Sequence, residues 1–192
     1  MKNLELEHLT NLLTKAGSLI DPAMLKAIID VETGGQGFDT KTGKLLIQFE
    51  PVWFKRKTTF APSGLWSVNK VEVQAKEWLA FNDAFKINKE AAMEATSIGL
   101  PQIMGFHWKR LGYDSVGAMW DDFKEGLDNQ ISALIVFIET DIRLWRALRD
   151  KNFVKIADVY NGSEWLAIAI KYGREPYPDA IKKAYLKYGG KL

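Results

Sequence analysis

The stretch from Gly126 to Ile142 constrains the fold most. Leu127, Ile131, Leu134, Ile135, Ile138 and Ile142 recur at spacings of three and four, which lines them up along one stripe of a helix. A stripe this apolar demands cover along its whole length, so it predicts a central buried helix with other helices packed around it. The remaining pattern supplies them. MKNLELEHLTNLL breaks its leucines with Glu5, Glu7 and His8 and reads as a small amphipathic helix rather than a signal peptide. Val71 to Ala95 is helical in period, with Ala75, Trp78, Leu79, Ala84, Phe85, Ala91, Ala92 and Ala95 as packing residues and breaks near Asn82 and Asn88. Trp145 and Leu148 extend the packing, and Phe153, Ile156 and Ala157 lead to a helix end at Tyr160-Asn161-Gly162. Pro178 to Tyr188 is a basic amphipathic helix built on Ile181, Ala184, Tyr185 and Tyr188. It is expected to dock on the core rather than lie on an anionic envelope surface.

One strand interrupts this helical reading. In LLIQFEP, Leu45, Ile47 and Phe49 alternate with Leu46, Gln48 and Glu50 until Pro51 ends the run, as half of a small hairpin should. Trp53 to Trp66, with Pro62, Ser63 and Gly64, has no clean period and is expected as a loop carrying Lys55-Arg56-Lys57. The fold class is therefore mainly α, formally α+β: a helical bundle around a central buried helix with a small β-hairpin. At 192 residues with 47% hydrophobic content, one core and one domain over 1–192 are expected, with no linker long enough to separate a second module.

Composition narrows the chemistry. There is no cysteine, and the two histidines, His8 and His107, lie far apart, so neither a metal nor any other cofactor is expected. A net charge of +2 without a basic-aromatic motif argues against nucleic acid, and no run approaches the roughly 20 apolar residues of a transmembrane helix. Seven tryptophans and six tyrosines suit either a core or an amphipathic cleft.

The most informative carboxylate is Glu32. Asp21-Pro22 opens a helix and Gly34-Gly35 closes it. Leu25, Ile28 and Ile29 lie seven, four and three positions before Glu32, so the glutamate points where the apolar residues point. Partial burial and the negative end of the helix dipole both disfavour its charged form, and a carboxylic acid protonated near neutral pH suits general-acid chemistry. A side chain that snorkels to water, or bonds the glycine turn, fits the same pattern. Asp30 falls on the other side, spaced to pair with Lys26 as a solvated charge. Glu50 stands at a strand end, where an exposed edge carboxylate and a functional one are equally consistent with the sequence. In Thr96 to Gly105, Ser97 suits a helix cap, Gly99 a close backbone approach, Pro101 a first turn, and Gln102 brings an amide to a helix start with free N–H groups.

Four segments in order carry a resemblance: Val31-Glu32-Thr33-Gly34-Gly35 with Gly37-Phe38, Ile47-Gln48-Phe49-Glu50, Ser97-Ile98-Gly99 with Gln102-Ile103-Met104-Gly105-Phe106, and Tyr160-Asn161-Gly162. The sequence resembles the lysozyme-like superfamily and, more narrowly, the N-acetylmuramidase family of endolysins from phages of Gram-negative bacteria. It departs from the family pattern at Ile98 and Pro101, where an aromatic and a bulky residue are usual.

The resemblance implies a lysozyme-like fold and a peptidoglycan hydrolase that cuts the β-1,4 bond between N-acetylmuramic acid and N-acetylglucosamine, with Glu32 as catalytic acid. Glu50 is the candidate second carboxylate and Asp39 its reserve. A separation from Glu32 of about 5 Å would indicate a retaining nucleophile, and one of roughly 6.5–9.5 Å an inverting mechanism. Gln102, Tyr160, Ser97 and Asn161 are expected to line the substrate cleft. The partner is the peptidoglycan glycan strand, met by a monomer made in the host cytoplasm and released to the periplasmic wall through a holin or similar pore. Rival readings are a lytic transglycosylase, in which the muramic acid 6-hydroxyl replaces water, and a wall-binding or scaffold protein without catalysis.

Overall fold

The computed structural model describes residues 5–58 and 73–192. Among the described residues are eleven α-helices and one three-stranded antiparallel sheet, and the chain divides into two compact units, Met1–Gly35 with Ile131–Leu192, and Gln36–Gln130.

The first unit is helical. It holds α1 (Leu6–Ala16), α2 (Pro22–Thr33), α7 (Leu127–Glu139) from Ile131 onward, α8 (Ile142–Arg149), α9 (Phe153–Tyr160), α10 (Trp165–Tyr172) and α11 (Tyr177–Lys187). Helix α2 starts and stops as its sequence requires: the Asp21 carboxylate accepts from Ala23 N–H at 2.8 Å, Pro22 occupies the first turn, and Gly34 closes the helix in the left-handed conformation (φ 62°). Leu25, Ile28 and Ile29 are wholly buried, each contributing roughly 1.5–3 kcal/mol of burial free energy. Helix α11 packs across α2, burying Ile181 and Tyr185, so the expected docking of the last helix is realised.

Burial along α7 holds from Ile131 to Ile138 but stops short of the expected end. The Asp141 carboxylate accepts from the N–H groups of Arg143 and Leu144 at 3.0 and 3.4 Å, capping a new helix, and Ile142 is exposed rather than part of the stripe. Asp30 also departs from expectation. It pairs with Lys26 as its spacing required, but Lys26 is buried and Tyr188 donates to the same carboxylate, with Lys187 Nζ at 3.6 Å. The pair is an interhelical tie rather than a solvated surface charge. Burial pushes the Asp30 carboxyl up, but the bonds from Lys26 and Tyr188 outweigh it and hold the pKa below its usual value.

The second unit contains β1 (Ile47–Phe49), α3 (Pro51–Lys57), α4 (Gln74–Ile87), α5 (Lys89–Glu94), β2 (Thr96–Ile98), β3 (Ile103–Met104), a 3-10 turn at Gly105–His107 and α6 (Val116–Glu125). The strand of LLIQFEP is present, with Leu45, Ile47 and Phe49 buried. Its partner is distant: Ile47 pairs with Ile98, Gln48 with Ser97 and Phe49 with Thr96. The local hairpin is limited to an antiparallel bridge between Phe38 and Leu45, and a second hairpin is formed by β2–β3. Thr96 to Gly105 is thus not a capped helix start, because Gly99 (φ 68°) and Gln102 (φ 49°) take left-handed backbone and reverse the chain.

Gly99 is also required sterically, since a Cβ there would meet Gln130 Oε1 at 2.7 Å. Gln130, wholly buried, accepts from Leu100 N–H at 2.7 Å and donates to the Phe123 carbonyl at 2.8 Å.

Pro51 opens α3 rather than simply ending the strand, so Lys55-Arg56-Lys57 sit on a helix and not in a loop; the rest of that expected loop, 59–66, lies outside the described residues. Helix α4 runs through Asn82 and breaks only at Asn88, and its buried face is Glu77, Ala80, Phe81 and Ala84. Ala75 and Leu79, expected to pack, are exposed. The register is set by β1, whose free edge is filled by α4 side chains. Gln74 accepts from Ile47 N–H (3.1 Å) and donates to its carbonyl (2.8 Å), and Glu77 Oε2 accepts from Phe49 N–H at 2.8 Å.

Candidate active site

Glu32 sits in the last turn of α2, two residues before the glycine pair that ends it. The fully buried Leu25, Ile28 and Ile29 fix the helix face on which it stands, yet the residue itself stays partly exposed. The Tyr177 hydroxyl, at the start of α11, donates to its Oε1. Burial drives the Glu32 pKa up to about 7, against the opposing pull of the Tyr177 hydrogen bond. Near neutral pH the carboxyl is therefore present in both its acid and its base form.

Tyr160, at the end of α9, belongs to the same environment. Its ring meets Phe137 edge-on, with centroids 5.7 Å apart. Burial, and then the Glu32 charge, raise the hydroxyl pKa of both Tyr160 and Tyr177 well above the usual value. Two phenols that stay protonated therefore flank one carboxyl. Both are neutral; the Tyr177 bond lowers the Glu32 pKa but does not outweigh burial. Asn161 follows at the C-cap of α9 and is exposed.

The other expected residues lie in the second unit. Glu50 is at the N-cap position of α3. Its N–H donates to the Ala95 carbonyl at 2.8 Å, and its Oε1 accepts from Gln48 Nε2 at 2.8 Å. Asp39 caps its own turn. The N–H groups of Lys41 and Thr42 donate to its Oδ1 at 2.7 and 3.0 Å, and these bonds hold its pKa below the ordinary range. With Lys41, Lys44 and Trp78 it lines a groove of about 750 Å³. Ser97 Oγ donates to the Gln48 carbonyl at 3.3 Å, and the Gln102 amide donates to the Gly99 carbonyl at 2.7 Å. Ser97 thus ties the hairpin to β1 and Gln102 holds its turn, and neither begins a helix.

Tyr177 was not anticipated, although a signal existed: Tyr177, Ile181 and Tyr185 stand at spacings of four, so the residue before Pro178 shares the buried face of α11. Among the described residues no cluster of three or more metal-ligating side chains occurs, and no helix is long and apolar enough to cross a membrane.

A family model described as N-acetylmuramidase matches residues 21–188, which includes every side chain discussed above. The chain belongs to the N-acetylmuramidase family. Among solved structures, this muramidase is similar to the endolysin of the Burkholderia AP3 phage, with 30% sequence identity over 96% of this chain and 68% of that one, and a TM-score of 0.74. None of the curated protein sequences compared with it matches. The protein is thus a lysozyme-type glycoside hydrolase acting on peptidoglycan, with the fold of a phage endolysin, and the family favours hydrolysis over transglycosylation.

Proposed function

We propose that Glu32 is the general acid that protonates the glycosidic oxygen between N-acetylmuramic acid and N-acetylglucosamine as the sugar develops oxocarbenium character. The observation that carries this reading is a partly exposed carboxyl held near pKa 7 by burial and flanked by two neutral phenols. Such a group is protonated in a substantial share of molecules at neutral pH and regains its proton from solvent after each turnover. Tyr177 holds the carboxyl in place, and Tyr160 forms the adjoining cleft wall. Asn161, exposed after α9, and Ser97 and Gln102 of the second unit keep their proposed role as substrate-binding residues. Glu50 takes the second carboxylate role, with Asp39 in reserve.

The deciding experiment is Glu32→Gln assayed on purified peptidoglycan sacculi. Loss of about 10³-fold in rate with retained sacculus binding is expected; an unchanged rate overturns the assignment. Mass spectrometry of the wild-type digest should give reducing muramic acid ends, whereas 1,6-anhydro ends would return the reaction to transglycosylation. Rates of Glu50→Gln and Asp39→Asn, read beside the anomer first released, separate the two candidates for the second role. The reading extends to a monomer made in the host cytoplasm that meets periplasmic peptidoglycan through a holin-type pore. Sedimentation equilibrium tests the first part, and lysis with and without a co-expressed holin the second.

A further inference from the structure

Helix α10, Trp165-Leu166-Ala167-Ile168-Ala169-Ile170-Lys171-Tyr172, buries only Ala169. Ile170 is 75% exposed, Leu166 48% and Tyr172 52%. A helix apolar around its circumference belongs in a core or a membrane, yet this one is covered on a single side. It rests on α11, and Trp165 Nε1 ties it to Asp158 of α9 at 2.9 Å. Leu166 and Ile170, four residues apart, point the same way.

Glu164 stands at the N-terminal end, and the positive charge is gathered at the C-terminal end. The cationic groups of Lys171 and Arg174 each lie 5.2 Å from the centre of the Tyr172 ring, and Lys183 Nζ is 3.5 Å from Glu175. An aliphatic shaft thus ends in a cationic collar around an amphipathic ring. Leucine and isoleucine offer a saccharide no hydrogen bond, so this face does not suit the glycan. An eight-residue helix is about 12 Å long, too short to present the roughly 800 Å² per partner of a stable dimer. An anionic bilayer matches both parts, with acyl chains for the shaft and headgroup phosphates for the collar.

We infer that α10 is an interfacial anchor that seats this muramidase on an anionic phospholipid bilayer, with Leu166 and Ile170 at the acyl boundary and Lys171 and Arg174 on the phosphates. The anchor acts apart from Glu32 and from the hydrolytic step.

Co-sedimentation with vesicles of phosphatidylethanolamine and phosphatidylglycerol, compared with phosphatidylcholine, tests it. The wild type should bind the anionic vesicles at least about tenfold more tightly, with affinity falling as salt rises. Leu166→Asp/Ile170→Asp should lose at least about tenfold, and Ile170→Ser, a milder change at the most exposed position, should lose less in the same direction. Lys171→Ala/Arg174→Ala should weaken binding and flatten its salt dependence. All variants should hydrolyse detergent-washed sacculi at the wild-type rate, which also reports that they fold. No wild-type binding, equal binding by the Asp pair and by Ile170→Ser, or a wild-type dimer that the Asp pair dissociates would each overturn the proposal.

Discussion

Two glutamates, one in each unit, are pushed to about pH 7 by burial, and they do opposite things with the shift. Glu32 stands at a helix end, partly open, and receives a hydroxyl proton from Tyr177. Glu77 is sealed inside α4, accepts from the Phe49 N–H of β1, and is raised a little further by the Glu50 charge. A raised carboxyl is therefore not in itself a mark of catalysis. What separates the two is access to solvent and whether the oxygens are already engaged by the backbone.

That contrast can be broken first by activity. Glu32→Gln should lower kcat on sacculi by about 10³-fold, roughly 4 kcal/mol of transition-state stabilisation, while Glu77→Gln should stay within about twofold of wild type, because the amide oxygen still accepts from Phe49. Equal losses would mean that burial, not access, is the discriminating feature.

Stability should show the reverse likeness. Both folded pKa values lie above the unfolded value of 4.5, so both groups favour the folded chain most below pH 4.5, and this support is lost as pH rises to about 7. The loss is about 3 kcal/mol for the sealed Glu77 and about 2 kcal/mol for the partly exposed Glu32. Denaturant unfolding at pH 5 and pH 8 should find each Gln variant stabilised relative to wild type at the higher pH only. Asp30 and Asp141, held below their usual values, act in the other direction and withdraw support as pH falls below about 4.

A finer test concerns Tyr177→Phe. Its hydroxyl lowers the Glu32 pKa, so its removal should move the alkaline limb of the kcat/KM profile upward from near pH 7 and reduce the rate by about tenfold or less. A limb that stays in place would separate Tyr177 from the acid. The smallest effect is expected at Asp39→Asn. Asn keeps the oxygen that accepts from Lys41 and Thr42, so the rate should fall less than about twofold unless Asp39, rather than Glu50, fills the second role.

Local signals were the legible ones. Asp21-Pro22 and Gly34-Gly35 bounded α2 because caps depend on neighbouring residues alone, and the alternation of Leu45, Ile47 and Phe49 exposed β1 for the same reason. Its partner was not legible, since no short-range pattern states that Phe49 pairs with Thr96, and Gly99 and Gln102 in left-handed backbone read as punctuation of a helix rather than of a turn. The buried face of α4 was misread because Glu77 and Gln74 interrupt the apolar stripe with groups whose partners lie on a strand about 30 residues away. Helix α10 escaped notice because its residues lack a polar face and so show no period. At the candidate site, the glutamate was legible from its own helix, but the tyrosine that bonds it was not.

That bond spans 145 positions of chain. During synthesis Glu32 emerges well before Tyr177 and until then is an ordinary carboxylic acid, ionised at neutral pH. It takes on its neutral-pH proton only when α11 folds back onto α2 and closes off the solvent. The acid strength of Glu32 is thus set by a segment made 145 residues later, so a chain interrupted before Tyr177 would keep its proposed catalytic group without the environment that tunes it.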